Sequence, residues 1–136
     1  MAAARLYHAV GNKLAELAAA HPGKYGYGAF GAVVGCTERE EAADIRKKYP
    51  RLFFLIPGYG AQGGAADDAA LLLREGNGGV VNASRSILKA WSTQLNSSGN
   101  ASVGGTEAEV TNTFAAEAAR QAVITMRDAI RAATIK

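Results

Sequence analysis

The 136-residue chain is poor in several residue types that would define specialised classes. It has one cysteine, Cys36, so neither an internal disulfide framework nor a multi-cysteine metal site is available. It has no apolar run near the roughly 20 residues that a membrane span needs. Its alanine-rich first 20 residues are broken by polar side chains, and no signal-peptide cleavage pattern follows. These features predict a cytoplasmic protein. It has no marked excess of one charge: 15 basic and 12 acidic residues leave a net charge of +3. The charges are interspersed, and the one basic run, Arg46-Lys47-Lys48, suits a helix C-terminus better than a nucleic-acid surface. The length itself is far short of the roughly 250 residues of a complete (β/α)₈ barrel.

What is present is an alternation of helical and strand patterns. Leu6, Val10, Leu14 and Leu17 predict one face of a helix over 3–20, stopped by His21-Pro22-Gly23. The apolar run 30–34 predicts a buried strand. A helix is predicted to begin at Thr37, whose spacing to Glu40 fits a capping box, and to end near Lys48. Residues 52–56 are apolar at consecutive positions, which predicts a strand covered on both faces. A glycine turn, 58–64, leads to a helix over 65–74. A third strand covers 80–83, and a helix over 87–95 directs Leu88 and Trp91 inward. Residues 96–105 predict a loop. Thr106 and Glu109 then open a long helix whose stripe, Val110, Phe114, Ala118, Ala122, Met126 and Ile130, predicts core packing. The order α-β-α-β-α-β-α-loop-α predicts one domain over 1–136, with about three parallel strands and flanking helices.

Sites in such folds form at the C-terminal ends of the strands. Two ends here resemble anion sites. Pro57-Gly58-Tyr59-Gly60-Ala61-Gln62-Gly63-Gly64 has four glycines before a helix, and Gln62 can both donate and accept. Asn82-Ala83-Ser84-Arg85 offers a guanidinium suited to phosphate oxygens. Gly58-x-Gly60-x-x-Gly63 also has dinucleotide-binding spacing, but the next strand end has no acid for a ribose. None of the three strand ends supplies an Asp, Glu, Lys or His as general acid or base. His8 and His21 have surface or capping positions. Cys36 reads as a small buried residue, and Asp67 and Asp68 as first-turn acids.

Three blocks carry a resemblance: GAVVGCT at 31–37, FLIPGYGAQGG at 54–64 and GGVVNASRSI at 78–87. Together with MRDAI near the end, they make the chain similar to the C-terminal part of the orotidine 5′-phosphate decarboxylases, in particular the longer bacterial type. The resemblance implies part of a (β/α)₈ barrel, usually homodimeric, of which these are strands six to eight. It implies cofactor-free and metal-free conversion of orotidine 5′-monophosphate (OMP) to UMP and CO₂ in pyrimidine biosynthesis. Pro57 would border the pyrimidine. Gln62 would bridge the pyrimidine side and the phosphate, and Arg85 would grip the phosphate. N–H groups around Gly63, Gly64, Ser84 and Arg85 would complete the cradle.

The family's D-x-K-x-x-D signature does not occur in the chain. The resemblance therefore implies the phosphate-holding part without its catalytic lysine and carboxylates, inactive alone. The alternative is a non-catalytic phosphate- or nucleotide-binding half-barrel or a truncated fragment. Either would self-associate or meet a complementing N-terminal half through its unpaired strand edges, with no nucleic-acid or membrane partner.

Overall fold

The computed structural model describes residues 5–60, 63–97 and 112–135. The chain runs α1 (Leu6–Ala20), β1 (Gly31–Val33), α2 (Arg39–Lys48), β2 (Phe53–Ile56), α3 (Ala66–Leu71), β3 (Gly79–Val81), α4 (Ser84–Leu88), α5 (Ala90–Ser97) and α6 (Asn112–Thr134). The three strands form one parallel sheet in the order β1-β2-β3, with Val33 opposite Leu55 and Leu55 opposite Val80. The predicted alternation is therefore present. The 96–105 loop, the Thr106–Glu109 pair and Val110 lie outside the described residues, apart from the end of α5.

The covering of the sheet differs from expectation. Along β2, Phe54 and Ile56 are fully buried, whereas Phe53 and Leu55 are about two-fifths exposed. Among the described residues, helices cover one face only. Ala32, Val34 and Val81 join Phe54 and Ile56 in the core there, with Leu52, Ala69 and Leu72. Val33, Phe53, Leu55 and Val80 form an apolar surface on the opposite face. A consecutive apolar run cannot show whether both sides of its strand have a covering layer. The alternating burial does.

Several local expectations are corrected. α2 begins at Arg39, after Glu38, and no side-chain cap bond forms there, so Thr37 does not start the helix. Its acids and bases still lie at the favoured ends. α1 buries Gly11 and Ala18, with Leu14 and Ala15 against the core, while Leu6 and Val10 are exposed. Small residues win because Tyr49 packs on the helix: a Cβ at Gly11 would stand 2.6 Å from the Tyr49 ring. The predicted 87–95 helix is two helices broken at Lys89 (φ −103°), whose carbonyl accepts from both the N–H and the hydroxyl of Ser92. This break leaves Leu88 exposed and Trp91 half-buried. In α6, Ala118 is buried, Ala122, Met126 and Ile130 are half-buried, and Phe114 is partly exposed. α6 packs against α3, α4 and α5.

Among the described residues, the core contains one charged side chain, which the basic-run reading did not anticipate. Arg46 is only 6% exposed. Its Nε donates to Leu72 O at 2.8 Å, Nη1 to Leu52 O at 3.0 Å and Tyr49 O at 3.3 Å, and Nη2 to Gly78 O at 2.9 Å. The guanidinium lies 3.9 Å from the centroid of the Phe54 ring. Burial lowers its pKa to about 10, and it stays charged at neutral pH. One planar fork thus joins the ends of α2 and α3 to the starts of β2 and β3. Arg46→Leu would strand Leu52 O and Leu72 O, whereas Gly78 O and Tyr49 O keep the N–H groups of Phe54 and Leu52, so we expect a loss of about 3 kcal/mol in urea unfolding. Arg46→Lys would recover only part of it, because an ammonium has neither the fork nor the flat face. Wild-type stability in both variants would contradict this role.

Candidate functional site

The sheet brings the ends of its strands together through main-chain bonds. Cys36 N–H donates to Pro57 O at 3.2 Å, and Asn82 N–H to Ile56 O at 2.9 Å. Cys36 is fully buried, its Sγ 3.4 Å from Pro57 O, and burial pushes its thiol pKa up. It is therefore a packing residue, as its sequence context suggested. Its sulfur faces Gly64, where a Cβ would come within 2.6 Å. Any side chain at 64 would displace either the sulfur or the Gly58 carbonyl.

Beside this junction lies a cleft of about 170 Å³, lined by residues 57–59 and 82–86. It brings Pro57, Ser84 and Arg85 together. Ser84 donates its hydroxyl to Asn82 Oδ1 at 2.8 Å, which holds the turn into α4. Among the described residues, no acceptor or carboxylate pairs with the exposed Arg85 guanidinium. Among the described residues that line it, none is an Asp, Glu, Lys or His. Among the described residues there is also no cluster of three or more His, Cys, Asp or Glu that could hold a metal, and no helix long and apolar enough to cross a membrane.

The glycine turn behaves differently from its sequence appearance. Gly63 N–H donates to Gly60 O at 2.8 Å and Gly64 N–H to Gly58 O at 3.1 Å, so both close the turn on itself. The N-terminus of α3 is also supplied from within: Asp68 Oδ2 accepts the Ala65 N–H at 2.8 Å, and its other oxygen pairs with Arg39. An incoming anion thus meets Arg85 and the first N–H groups of α4 more readily than the turn's own amides. Gln62 lies outside the described residues. A larger apolar groove of about 700 Å³ runs between α1, α2 and β1. It was not visible in the sequence, because it exists only where Leu6 and Val10 stand clear of the core. His8 borders that region. Its ring nitrogens lie 3.1 Å from Tyr49 Oη and 3.2 Å from Asp44 Oδ2. His21 caps α1 through its N–H to Leu17 O. Both histidines lie away from the cleft; His21 has the expected capping position, whereas the His8 ring is mostly buried rather than at the surface.

Parallel strands joined by helices, helices on one face only, and a cleft at the strands' C-terminal ends define a portion of a (β/α) barrel. The comparisons agree. The chain is 46% identical over 132 residues to the orotidine 5′-phosphate decarboxylase of Clostridium perfringens (strain 13 / Type A), covering 97% of this chain and 41% of that protein. It is 47% identical over 126 residues to the same enzyme of Clostridium acetobutylicum, covering 93% of this chain and 39% of that one. The chain therefore spans about two-fifths of the length of the curated relatives it matches. The crystal structure of an orotidine-monophosphate-decarboxylase from Toxoplasma gondii superposes with a TM-score of 0.62 at 24% identity, covering 96% of this chain and 43% of that one, and shows the fold. The Leishmania donovani UMP synthase structure superposes at 0.56 with 27% identity, covering 96% of this chain and 23% of that one. No family model matches the chain.

The Asp68 carboxylate gives a pH test. Its pKa is lowered, first by the Ala65 N–H and then by Arg39. A carboxylate stabilised in the folded state contributes stability above its unfolded pKa of about 4 and loses it as pH falls through the lower folded value. Asp68→Asn should therefore be less stable than wild type at pH 7, and the gap should close toward pH 2. A gap that persists unchanged at pH 2 would contradict the assignment.

Proposed function

We propose that this chain is the phosphate- and nucleotide-binding portion of an orotidine 5′-phosphate decarboxylase, corresponding to the C-terminal part of the barrel. The observation that carries this reading is Arg85, a guanidinium with no partner among the described residues, at the rim of a small cleft between the ends of β2 and β3. Homology to decarboxylases over nearly the whole chain supports it. In this reading Pro57 borders the base, Gln62 bridges the pyrimidine side and the phosphate, Arg85 grips the phosphate, and N–H groups around Gly63, Gly64, Ser84 and Arg85 complete the cradle. The Gly63 and Gly64 N–H groups would have to exchange their bonds within the turn for bonds to the ligand.

The chemistry of such a site is positional. A phosphate held away from the reacting carbon supplies binding energy that can be used in the transition state. It moves no proton, and among the described residues the cleft's lining holds no Asp, Glu, Lys or His. Titration of the purified 136-residue chain with UMP should show saturable binding that Arg85→Ala weakens about tenfold or more. The same chain should release no CO₂ from OMP. Wild-type affinity in Arg85→Ala, or measured turnover, would contradict the proposal.

The open face of the sheet belongs to the same reading. β1 and β3 are edge strands, and Val33, Phe53, Leu55 and Val80 present apolar surface where a barrel would have an interior. The remaining strands of a barrel, or a second copy of this chain, would cover it. Light scattering should find concentration-dependent association of the isolated chain, reduced by Leu55→Glu. A sharp monomer at all concentrations would argue against the open face as an interface.

A further inference from the structure

Asn82 immediately follows β3, and its main chain is fixed there: the N–H donates to Ile56 O at 2.9 Å. Its side chain is exposed and lines the cleft with Pro57, Ser84 and Arg85. The carboxamide oxygen is already taken, because the Ser84 hydroxyl donates to Oδ1 at 2.8 Å. The same carboxamide carries an NH₂ with two donors. Among the described residues no acceptor takes them. Ser84 is in the converse position. A hydroxyl has one proton to donate. That of Ser84 is used on Oδ1, so its side chain presents only lone pairs to a ligand. The oxygens of a phosphomonoester dianion are acceptors, so the Ser84 hydroxyl has no bond to give them while it holds Asn82.

We infer that Asn82 is a further phosphate-binding residue whose NH₂ donates beside Arg85, and that Ser84 is its positioning residue. Both roles rest on the phosphate assignment made above. The physical basis is the planarity of the amide. Oxygen and nitrogen branch from one flat carbon, so a bond that fixes Oδ1 also fixes where the NH₂ can lie. A side chain oriented in this way loses little further rotamer freedom when the ligand arrives. It brings donors to the cleft without adding charge, and among the described lining residues no carboxylate opposes an anion there.

UMP titration of the full 136-residue chain tests this. Asn82→Asp keeps the size of the side chain and the acceptor for Ser84, but replaces the donors by a negative charge. It should weaken UMP binding about a hundredfold at pH 8, and Asn82→Ala about tenfold. Ser84→Ala should weaken it about threefold, and should cost nothing further in the Asn82→Ala background. The ratio of wild-type to Asn82→Asp affinity should shrink at pH 5, because the second pKa of a phosphomonoester is about 6 and the ligand is then a monoanion. A loss through damaged structure would not follow the charge of the ligand, so an equal ratio at both pH values would overturn the donor role. Wild-type affinity in Asn82→Asp or Asn82→Ala would overturn it too, while a loss in Arg85→Ala would leave the phosphate assignment standing. Equal fold-losses from Ser84→Ala in both backgrounds would overturn the positioning role. Absence of UMP binding in the wild-type chain would overturn the assignment and both roles together.

Discussion

The buried guanidinium of Arg46 is the constraint on which the architecture turns. Two strands, β2 and β3, begin where its donors end, at Leu52 O and Gly78 O, and the two preceding helices finish at Tyr49 O and Leu72 O. Gly78 O also accepts from Phe54 N–H and Tyr49 O from Leu52 N–H, but Leu52 O and Leu72 O have left helical pairing and have not entered a ladder, so burying them without a donor would be costly. Arg46 satisfies them from one rigid group and covers the Phe54 ring at the same time. With the N-terminal ends of β2 and β3 held in this way, the register of the two strands is held. That register places Pro57 and Asn82, and with them the cleft, side by side at the far end.

This division of the sheet into a stabilising end and a chemical end accounts for what the sequence revealed. The alternation of helices and strands was legible because each apolar run is short and bounded by glycine or proline. The strand-end residues were legible because PGYGAQGG and NASRS have turn chemistry and an arginine in a pattern that few structural roles require. Arg46 was not legible. In sequence it is one of three adjacent bases at a helix end. Only the fold shows that Lys47 and Lys48 are exposed while Arg46 points under the sheet. The one-sided burial of β2 was hidden for a similar reason, since Phe53 and Leu55 are as apolar as Phe54 and Ile56.

The cleft itself was partly legible. Arg85 and Ser84 were recognisable from their residue types. The internal bonding of Gly63 and Gly64 was not, because glycine content predicts only that backbone amides are accessible, not where they point. Nor did the sequence reveal that Asp68 already serves the start of α3. These two facts move the expected centre of anion binding toward Arg85 and α4. The open apolar face fits the same account, since a portion of a barrel has its covered layer outside and its interior uncovered.

The central claim is that nucleotide phosphate is held between the ends of β2 and β3. Amide chemical-shift mapping of the ¹⁵N-labelled chain during UMP addition tests it most directly. The account predicts saturable shifts concentrated at Ser84, Arg85, Ser86 and the glycine turn, with Gly11, Tyr49 and the groove beside α1 unmoved. Shifts centred on that groove, or none at Ser84–Ser86 at saturating UMP, would contradict it.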